Sequence, residues 1–295
     1  MKKSLAFIDL LGFSNMVKKD HSKAKEVLND FYNISFQEIE GCSEIEGMLV
    51  SDSLIAYSEN NSALLNSLCS IYRKCLEKNG EYCDNALCDF FLLPRGGFSI
   101  GEVNVEERTE APNVRKGFIV SPALVHSSKM EQSIKGSRLL IAVNDLNGED
   151  IDFHWNTETR AILYSDDSYR LYEKYSYNDA LWFADLNKNY NDQKEEIKKL
   201  IEVAILLVKA NVKNPRALEQ HIGTLRIGLL SYSKHCEVVT DDMIIKRILD
   251  EFKEDKYWLV WVSVLEMVLQ SPDGSIASLN SRIVEFYREM CLSVG

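Results

Sequence analysis

Two aspartates stand where apolar, strand-like stretches of the chain end. Asp9 lies in the run Leu5–Phe13, and Asp52 lies at the turn of a hairpin predicted over Met48–Tyr57. A carboxylate at the end of a buried strand is costly unless a cation or hydrogen bonds compensate its charge. If the two strands are neighbours in one sheet, the carboxylates converge, and a divalent cation such as Mg²⁺ would relieve their repulsion. The pattern therefore predicts a metal site whose remaining ligands come from substrate phosphates.

A third segment combines a cation with permissive backbone. The stretch Phe90–Val103 is interpreted as an apolar strand followed by Arg95 and by glycines at positions 96, 97 and 101. Glycine allows a neighbouring strand or a ligand to approach the main chain closely. A guanidinium binds phosphate oxygens in bidentate fashion, so Arg95 is a candidate phosphate ligand. The same spacing, 43 positions, separates Asp9 from Asp52 and Asp52 from Arg95.

Together the three segments resemble the class III nucleotide cyclases, the family of adenylyl and guanylyl cyclases. Phe7–Ser14 is similar to the family's first metal-aspartate strand, and Ser51–Ser53 is similar to its second metal-aspartate hairpin. Arg95–Gly101 is similar to the arginine-glycine strand that follows. The resemblance covers residues 4–145 and implies an α+β fold with the family's ferredoxin-like βααββαβ core.

The resemblance also implies a reaction. Two Mg²⁺ or Mn²⁺ ions, held by Asp9, Asp52 and the backbone carbonyl of Leu10, would bind a nucleoside triphosphate and activate its ribose 3′-hydroxyl for attack on the α-phosphorus. The residues expected to contact the substrate are Phe13, Met48, Arg95 and Arg115. Family members place the metals on one subunit and the transition-state groups on the other, so a homodimer with two equivalent sites is expected.

Three positions depart from the family pattern. Val125 stands where the family has an asparagine, and Lys129 stands where it has the arginine that stabilises the transition state. Lysine keeps the positive charge but lacks the planar fork of arginine, and Lys129 is the candidate catalytic residue at this position. Met48 replaces the lysine that reads the purine in many adenylyl cyclases, which argues against ordinary recognition of ATP.

These departures, with the short segment Ser121–Val125, make the chain resemble the bacterial pyrimidine cyclases of Pycsar antiphage defence. Such enzymes make cyclic UMP or cyclic CMP, which activates a separate effector protein. The resemblance therefore implies UTP as the favoured substrate, CTP as the next and a purine nucleotide as the third.

A second class of function stays open, namely a degenerate cyclase-homology module that binds a nucleotide or a partner without turnover. The missing asparagine and arginine motivate it. Phosphatases of the haloacid-dehalogenase type need a second aspartate two positions after the first, where this chain has Leu11. The chain also lacks a Walker-type phosphate loop and the signatures of serine hydrolases and zinc proteases.

Composition indicates which binding partners and which cellular compartment to expect. A formal net charge of −11 argues against a nucleic-acid-binding surface. Seven cysteines without a Cys-x-x-Cys pair suggest reduced thiols and a cytoplasmic location. Cys83 and Cys88 have no histidine at zinc-ligand spacing. The apolar run after Lys3 is too short for a signal peptide or a membrane span, so no membrane association is expected.

Apolar spacing predicts the elements that position these residues. The predictions in the first part of the chain are helices over Val17–Phe31 and Leu64–Cys75, a loop around Arg115 and Lys116, strands over Leu139–Val143 and Ala161–Tyr164, and an aromatic connector over Tyr169–Phe183. From about residue 185 the pattern is helical, which divides the chain into a catalytic domain, 1–180, and a helical region, 181–295. The helices predicted there are Glu195–Ala210, one that begins at Asn214-Pro215, Asp241–Phe252, Tyr257–Leu269 and Ile276–Met290. This region is expected to support the dimer, cap the pocket or sense a trigger.

Overall fold

The computed structural model describes residues 2–82, 89–111, 114–142, 163–165, 177–185, 188, 190–211 and 214–235. The strands are β1 (Lys2–Leu10), β2 (Ile45–Val50), β3 (Ser53–Ser58), β4 (Pro94–Glu102), β5 (Asn104–Ala111), β6 (Val114–Val120), β7 (Leu139–Ala142), β8 (Leu163–Ser165) and β9 (Tyr177–Ala180). The helices are α1 (Phe13–Lys19), α2 (His21–Glu40), α3 (Asn61–Tyr82), α4 (Pro122–Ser133), α5 (Tyr190–Ala210) and α6 (Pro215–His235). The order β1-α1-α2-β2-β3-α3-β4 confirms the predicted βααββαβ core and the α+β class.

The main sheet has the strand order β2-β3-β1-β4-β7-β9-β8, and β5 and β6 form a separate two-stranded sheet. Strand β1 is antiparallel to both β3 and β4, whereas β4 and β7 are parallel. Because β1 lies between β3 and β4, its C-terminal end, the β2–β3 turn and the start of β4 meet at one edge of the sheet. This edge carries the candidate site.

Local sequence explains how the chain leaves β1. Gly12 adopts φ +72°, a left-handed conformation that favours glycine, and α1 begins at the next residue. The side chain of Asp20 then accepts hydrogen bonds from the backbone N–H groups of Ser22 and Lys23, which caps α2. The single helix predicted over Val17–Phe31 is therefore wrong, since this cap divides it into α1 and α2.

The two faces of the sheet have different partners. On one face Ala6, Ile8 and Leu10 belong to a hydrophobic core that also contains buried residues of α2, α3, α5 and α6. On the other face Leu5 packs with Ala123 of α4. Both described C-terminal helices thus contribute to the main core of the sheet, while the domain division at residue 180 stays a prediction.

Three expectations about strands need correction. Strand β4 contains Arg95 and its glycines rather than preceding them, because the main chain of Leu92 is hydrogen-bonded in both directions to the side chain of Asn79. Arg115 lies in β6, paired with Thr109 of β5, and not in a loop. The connector predicted over Tyr169–Phe183 includes strand β9, which pairs with β7 and β8.

Other elements follow the predictions more closely. The buried strand predicted at Leu139 is β7, and the strand predicted over Ala161–Tyr164 overlaps β8. Helix α6 begins at Pro215, and Asn214 caps it by accepting a hydrogen bond from the N–H of Ala217. The helices predicted over Asp241–Phe252, Tyr257–Leu269 and Ile276–Met290, and residues Cys83 and Cys88, lie outside the described residues. Within the described part of the chain no helix is long and apolar enough to cross a membrane.

Candidate active site

The structure brings Asp9 and Asp52 to the same edge of the sheet. Asp9 lies near the end of β1, where it pairs with Ser53 on β3 and with Arg95 on β4. The backbone N–H of Leu10 donates a 3.0 Å hydrogen bond to the carbonyl of Asp52, which ties the β2–β3 turn to the end of β1. Asp9 and Arg95 therefore lie on adjacent strands, and Asp52 lies in the turn that is hydrogen-bonded to the end of β1.

Hydroxyl groups orient the two carboxylates. Ser53 Oγ donates to Asp9 Oδ1 at 2.8 Å, and Ser51 Oγ donates to Asp52 Oδ1 at 2.9 Å. Ser51 has φ +55°, a left-handed conformation that is uncommon for residues other than glycine, and its carbonyl accepts a 2.7 Å hydrogen bond from the Tyr32 hydroxyl. Tyr32 thus holds the turn that presents Asp52.

The environment of Asp9 disfavours its negative charge. Burial is the largest cause and, together with the charges of Asp52 and Glu131, it raises the pKa of the Asp9 carboxyl to about 6, although Ser53 and Arg95 oppose the shift. A bound cation would reverse this balance, because it favours the ionised form of a carboxylate. In the metal-free protein, burial and the nearby Asp52 charge disfavour ionised Asp9, and a divalent cation would offset that cost.

The donor set fits Mg²⁺ or Mn²⁺. Asp9 and Asp52 would supply carboxylate oxygens and Leu10 a backbone carbonyl, and oxygen ligands are those that both ions prefer. Among the described residues no group of three or more histidine, cysteine, aspartate or glutamate side chains is arranged to hold a metal ion. A cation at Asp9 and Asp52 would therefore complete its coordination with backbone, water or substrate oxygens.

Glu131 is a site residue that our sequence analysis missed. It is buried on α4, and its Oε1 accepts a 2.6 Å hydrogen bond from Nε of Arg95 and forms a salt bridge with Nη2 of the same guanidinium. Burial raises the pKa of the Glu131 carboxyl, while Arg95 opposes that shift. One signal was present, because a glutamate on the sheet-facing stripe of a helix needs a charged partner.

Arg95 is held from two sides. Besides its contacts with Glu131, its Nη1 donates a 3.2 Å hydrogen bond to the carbonyl of Ile134. A guanidinium has five N–H donors, so two remain beyond these three contacts for a phosphate. The Arg95 side chain is 19% exposed, so a ligand at the sheet edge could reach it.

Glycine brings α4 close to β4. A Cβ atom at Gly97 would lie 2.4 Å from the carbonyl oxygen of Ser127 and 2.8 Å from Cβ of Met130. The close approach lets Ser127 Oγ donate to the carbonyl of Leu5 and contact Ser99 Oγ. The glycine thus serves helix packing, which in turn places Glu131 beside Arg95.

Lys129 and Val125 lie on the outer face of α4. Val125 is 55% exposed and Lys129 is exposed, whereas Ser127 and Glu131 are buried. Lys129 therefore does not join Asp9, Asp52 and Arg95 on the sheet-facing side.

The remaining predicted contacts lie near the sheet edge or outside the described side chains. Phe13 is the first residue of α1, directly after Gly12, and it packs partly buried against the main core. Met48 is half-buried on β2 opposite Ile55 of β3. For Arg115 only the backbone of β6 is described.

No protein-family model and no curated protein matches the chain. Its fold is similar to the solved structure of the guanylyl cyclase Cya2, with a TM-score of 0.46, 15% identity, and coverage of 61% of this chain and 92% of that one. An adenylate cyclase structure from Trypanosoma brucei gives a TM-score of 0.44, 11% identity, and coverage of 61% and 90%. A class III adenylyl cyclase-like ATP-binding protein from Pseudomonas aeruginosa gives 0.37, 17%, and coverage of 48% and 33%.

Proposed function

We propose that this chain is a class III nucleotide cyclase that acts as a homodimer on a pyrimidine nucleoside triphosphate, with UTP favoured over CTP. The observation that carries the proposal is the meeting of Asp9, Asp52 and Arg95 at one sheet edge. Two carboxylates for a cation and one guanidinium for phosphate are the groups that a triphosphate site needs. The product, a 3′,5′-cyclic monophosphate, would act as a second messenger in antiphage defence by activating a separate effector.

The residues have distinct roles in this proposal. Asp9, Asp52 and the carbonyl of Leu10 would hold two Mg²⁺ or Mn²⁺ ions, which would activate the ribose 3′-hydroxyl and neutralise the charge on the phosphates. The 3′-oxygen forms a bond to the α-phosphorus, the bond to the leaving pyrophosphate breaks, and the hydroxyl proton is released to water. Arg95 binds the terminal phosphates through the guanidinium N–H groups that do not contact Glu131 or Ile134.

Lys129 supports a shared site. Because it lies on the outer face of α4, it would serve the site of a second copy rather than its own. Phe118, Val120 and Val125 are exposed hydrophobic residues close together in the chain, where β6 leads into α4. An exposed apolar patch beside a charged residue favours a protein interface here. We therefore place Lys129 of one protomer near the α-phosphate bound by its partner.

The choice of base rests on the resemblance to pyrimidine cyclases. Met48 offers neither a donor nor a strong acceptor to a base edge, which is consistent with the loss of purine reading. Phe13 and Arg115 are proposed to contact the nucleotide as well.

A second candidate function is a nucleotide-binding module without turnover. Val125 is apolar where the family has asparagine, and Glu131 neutralises Arg95 in this structure. Such a module would keep the metal and triphosphate contacts but would lack stabilisation of the transition state.

The deciding experiment is product formation. The purified full chain is incubated with Mn²⁺ and each of the four radiolabelled nucleoside triphosphates, and the 3′,5′-cyclic product is separated. We expect cyclic UMP, no product from Asp9→Asn or Asp52→Asn, and full activity from Glu202→Gln, an exposed carboxylate on α5. Metal-dependent nucleotide binding without any cyclic product would instead support the binding module.

A further inference from the structure

Helix α6 is hydrogen-bonded to the loop between α4 and β7. The backbone N–H of Gly136 donates to Gln220 Oε1 at 2.7 Å, and the backbone N–H of Ser137 donates to Thr224 Oγ1 at 2.8 Å. The Thr224 hydroxyl donates in turn to the carbonyl of Gln220 at 3.0 Å. One turn of α6 therefore satisfies two successive backbone donors of the loop, and both Ser137 and Thr224 are fully buried.

Two glycines bring this loop and helix into backbone contact. Gly136 has φ +88°, and a Cβ atom there would lie 2.7 Å from the carbonyl carbon of Gly223. A Cβ atom at Gly223 would lie 2.6 Å from the carbonyl oxygen of Lys135. Because the two backbones are in close contact with no free space between them, a small shift of α6 must also move the loop.

The same loop holds Arg95 at three points. The carbonyl of Ile134, the first residue of the loop, accepts a 3.2 Å hydrogen bond from Nη1 of Arg95. On either side of Arg95, the carbonyl of Pro94 accepts from Ser137 Oγ at 2.6 Å, and the N–H of Gly96 donates to the carbonyl of Arg138 at 2.9 Å. The loop thus positions both the side chain of Arg95 and the main chain around it.

We propose that Gln220 and Thr224 are positioning residues for Arg95, and that α6 thereby sets the affinity of the site for a triphosphate tail. The inference rests on the proposed function only in taking Arg95 as the ligand of the terminal phosphates. If the Thr224 acceptor is lost, the buried N–H of Ser137 has no partner and the loop shifts to find one. A displaced loop carries the guanidinium with it, and phosphate binding is sensitive to such displacement.

The test measures binding of inorganic tripolyphosphate to the full chain with Mn²⁺ by titration calorimetry. Thr224→Val keeps the side-chain shape and removes the acceptor, and we expect the affinity to fall roughly tenfold. Gln220→Ala is the second variant and should act in the same direction. Ser231→Ala is the matched control, because the Ser231 hydroxyl donates to the carbonyl of Ile227 within α6 itself.

A double-mutant cycle separates positioning from a general loss of structure. In an Arg95→Gln background, Thr224→Val should weaken tripolyphosphate binding no further, since the group that it positions is gone. Equal weakening in both backgrounds, or unchanged affinity in variants that melt like the parent protein, would overturn the inference.

Product assays keep the two claims apart. A parent protein that cyclises a nucleotide while Thr224→Val binds tripolyphosphate equally well would refute the role of α6 and leave the cyclase proposal standing. Arg95-dependent binding that is sensitive to Thr224, without cyclic product from any nucleotide, would refute the cyclase proposal and support the role of α6.

Discussion

At the scale of single residues, the site holds carboxylates whose ionised forms are unfavourable in the folded protein. The charges of Asp52, Glu131 and Arg95 all act on Asp9, and burial of Asp9 and Glu131 raises the pKa of each carboxyl. A protein without a cation at this edge therefore folds with a penalty that bound metal and substrate would remove. Activity and stability should consequently respond in opposite directions to changes at Asp9.

Asp9→Asn should stabilise the metal-free protein while abolishing activity. The pKa of Asp9 rises from 3.8 to about 6 on folding, so its ionised form is disfavoured in the folded state. The loss of unfolding free energy that ionised Asp9 causes is absent at low pH, grows as the pH rises from about 4, and is constant above about 6. The gain in melting temperature should follow the same course in buffers with a chelator. A gain that did not depend on pH would contradict this account, and Glu202→Gln is the control.

Glu131→Gln tests the partner of Arg95. The amide keeps an acceptor for the guanidinium but removes the charge that orients it. We expect KM for the triphosphate to rise about tenfold, which corresponds to about 1.4 kcal/mol, with a smaller change in kcat. Glu102→Gln, at the exposed far end of the same strand, should leave both constants unchanged. A lower KM would show that Glu131 competes with phosphate for Arg95 instead of orienting it.

At the scale of elements, α4 would link the two halves of the proposed site. Its buried side places Glu131 beside Arg95, while its outer face carries Lys129. Close packing against β4, allowed by Gly97, fixes the distance between helix and sheet. The α4 helix is therefore the element whose displacement should affect both sides of the proposed dimer.

Gly97→Ala should displace α4. The new methyl group would overlap the carbonyl of Ser127, and overpacking of this kind costs about 1–3 kcal/mol of unfolding free energy. Gly80→Ala is the matched control, because a Cβ at Gly80 meets nothing within 4 Å and alanine favours a helix by roughly 1 kcal/mol. Denaturant unfolding measures both changes. Equal stability of the two variants would contradict the proposed packing.

At the scale of the whole molecule, the proposed site needs two copies of the chain. Asp9 and Arg95 pair within one protomer, whereas Lys129 faces outward. Substitutions on the two sides of such a site should therefore complement each other in mixed dimers.

Mixing Asp9→Asn with Lys129→Ala should restore activity, although each variant alone is inactive. Random exchange of subunits gives about a quarter of sites with both sides intact. Mixing Asp9→Asn with Arg95→Gln is the control and should restore nothing, since both residues lie on the same side of one site. The rate of cyclic product formation after subunit exchange measures both. No restoration in the first mixture would contradict the assignment of Lys129 to the partner, and restoration in the control mixture would contradict the placement of Asp9 and Arg95 on one side of the site.

Sequence alone was sufficient to select candidate site residues at the ends of strands. Asp9, Asp52 and Arg95 each interrupt an apolar run, and a charge in that position needs a physical reason. The family resemblance implied the βααββαβ core, whereas apolar periodicity alone predicted one helix where the structure has α1 and α2. The start of α6 was a local property, set by Asn214 and Pro215.

Only the tertiary structure decided which distant groups control Arg95. Glu131 lies 36 positions away from it, and Thr224 acts through a loop that pairs with the strand of Arg95. Such contacts depend on how close α4 and α6 approach the sheet. Glycines permit this approach, but a glycine in the sequence does not indicate which distant element will pack against it. The chain thus specifies the reactive groups locally, whereas long-range packing determines their orientation.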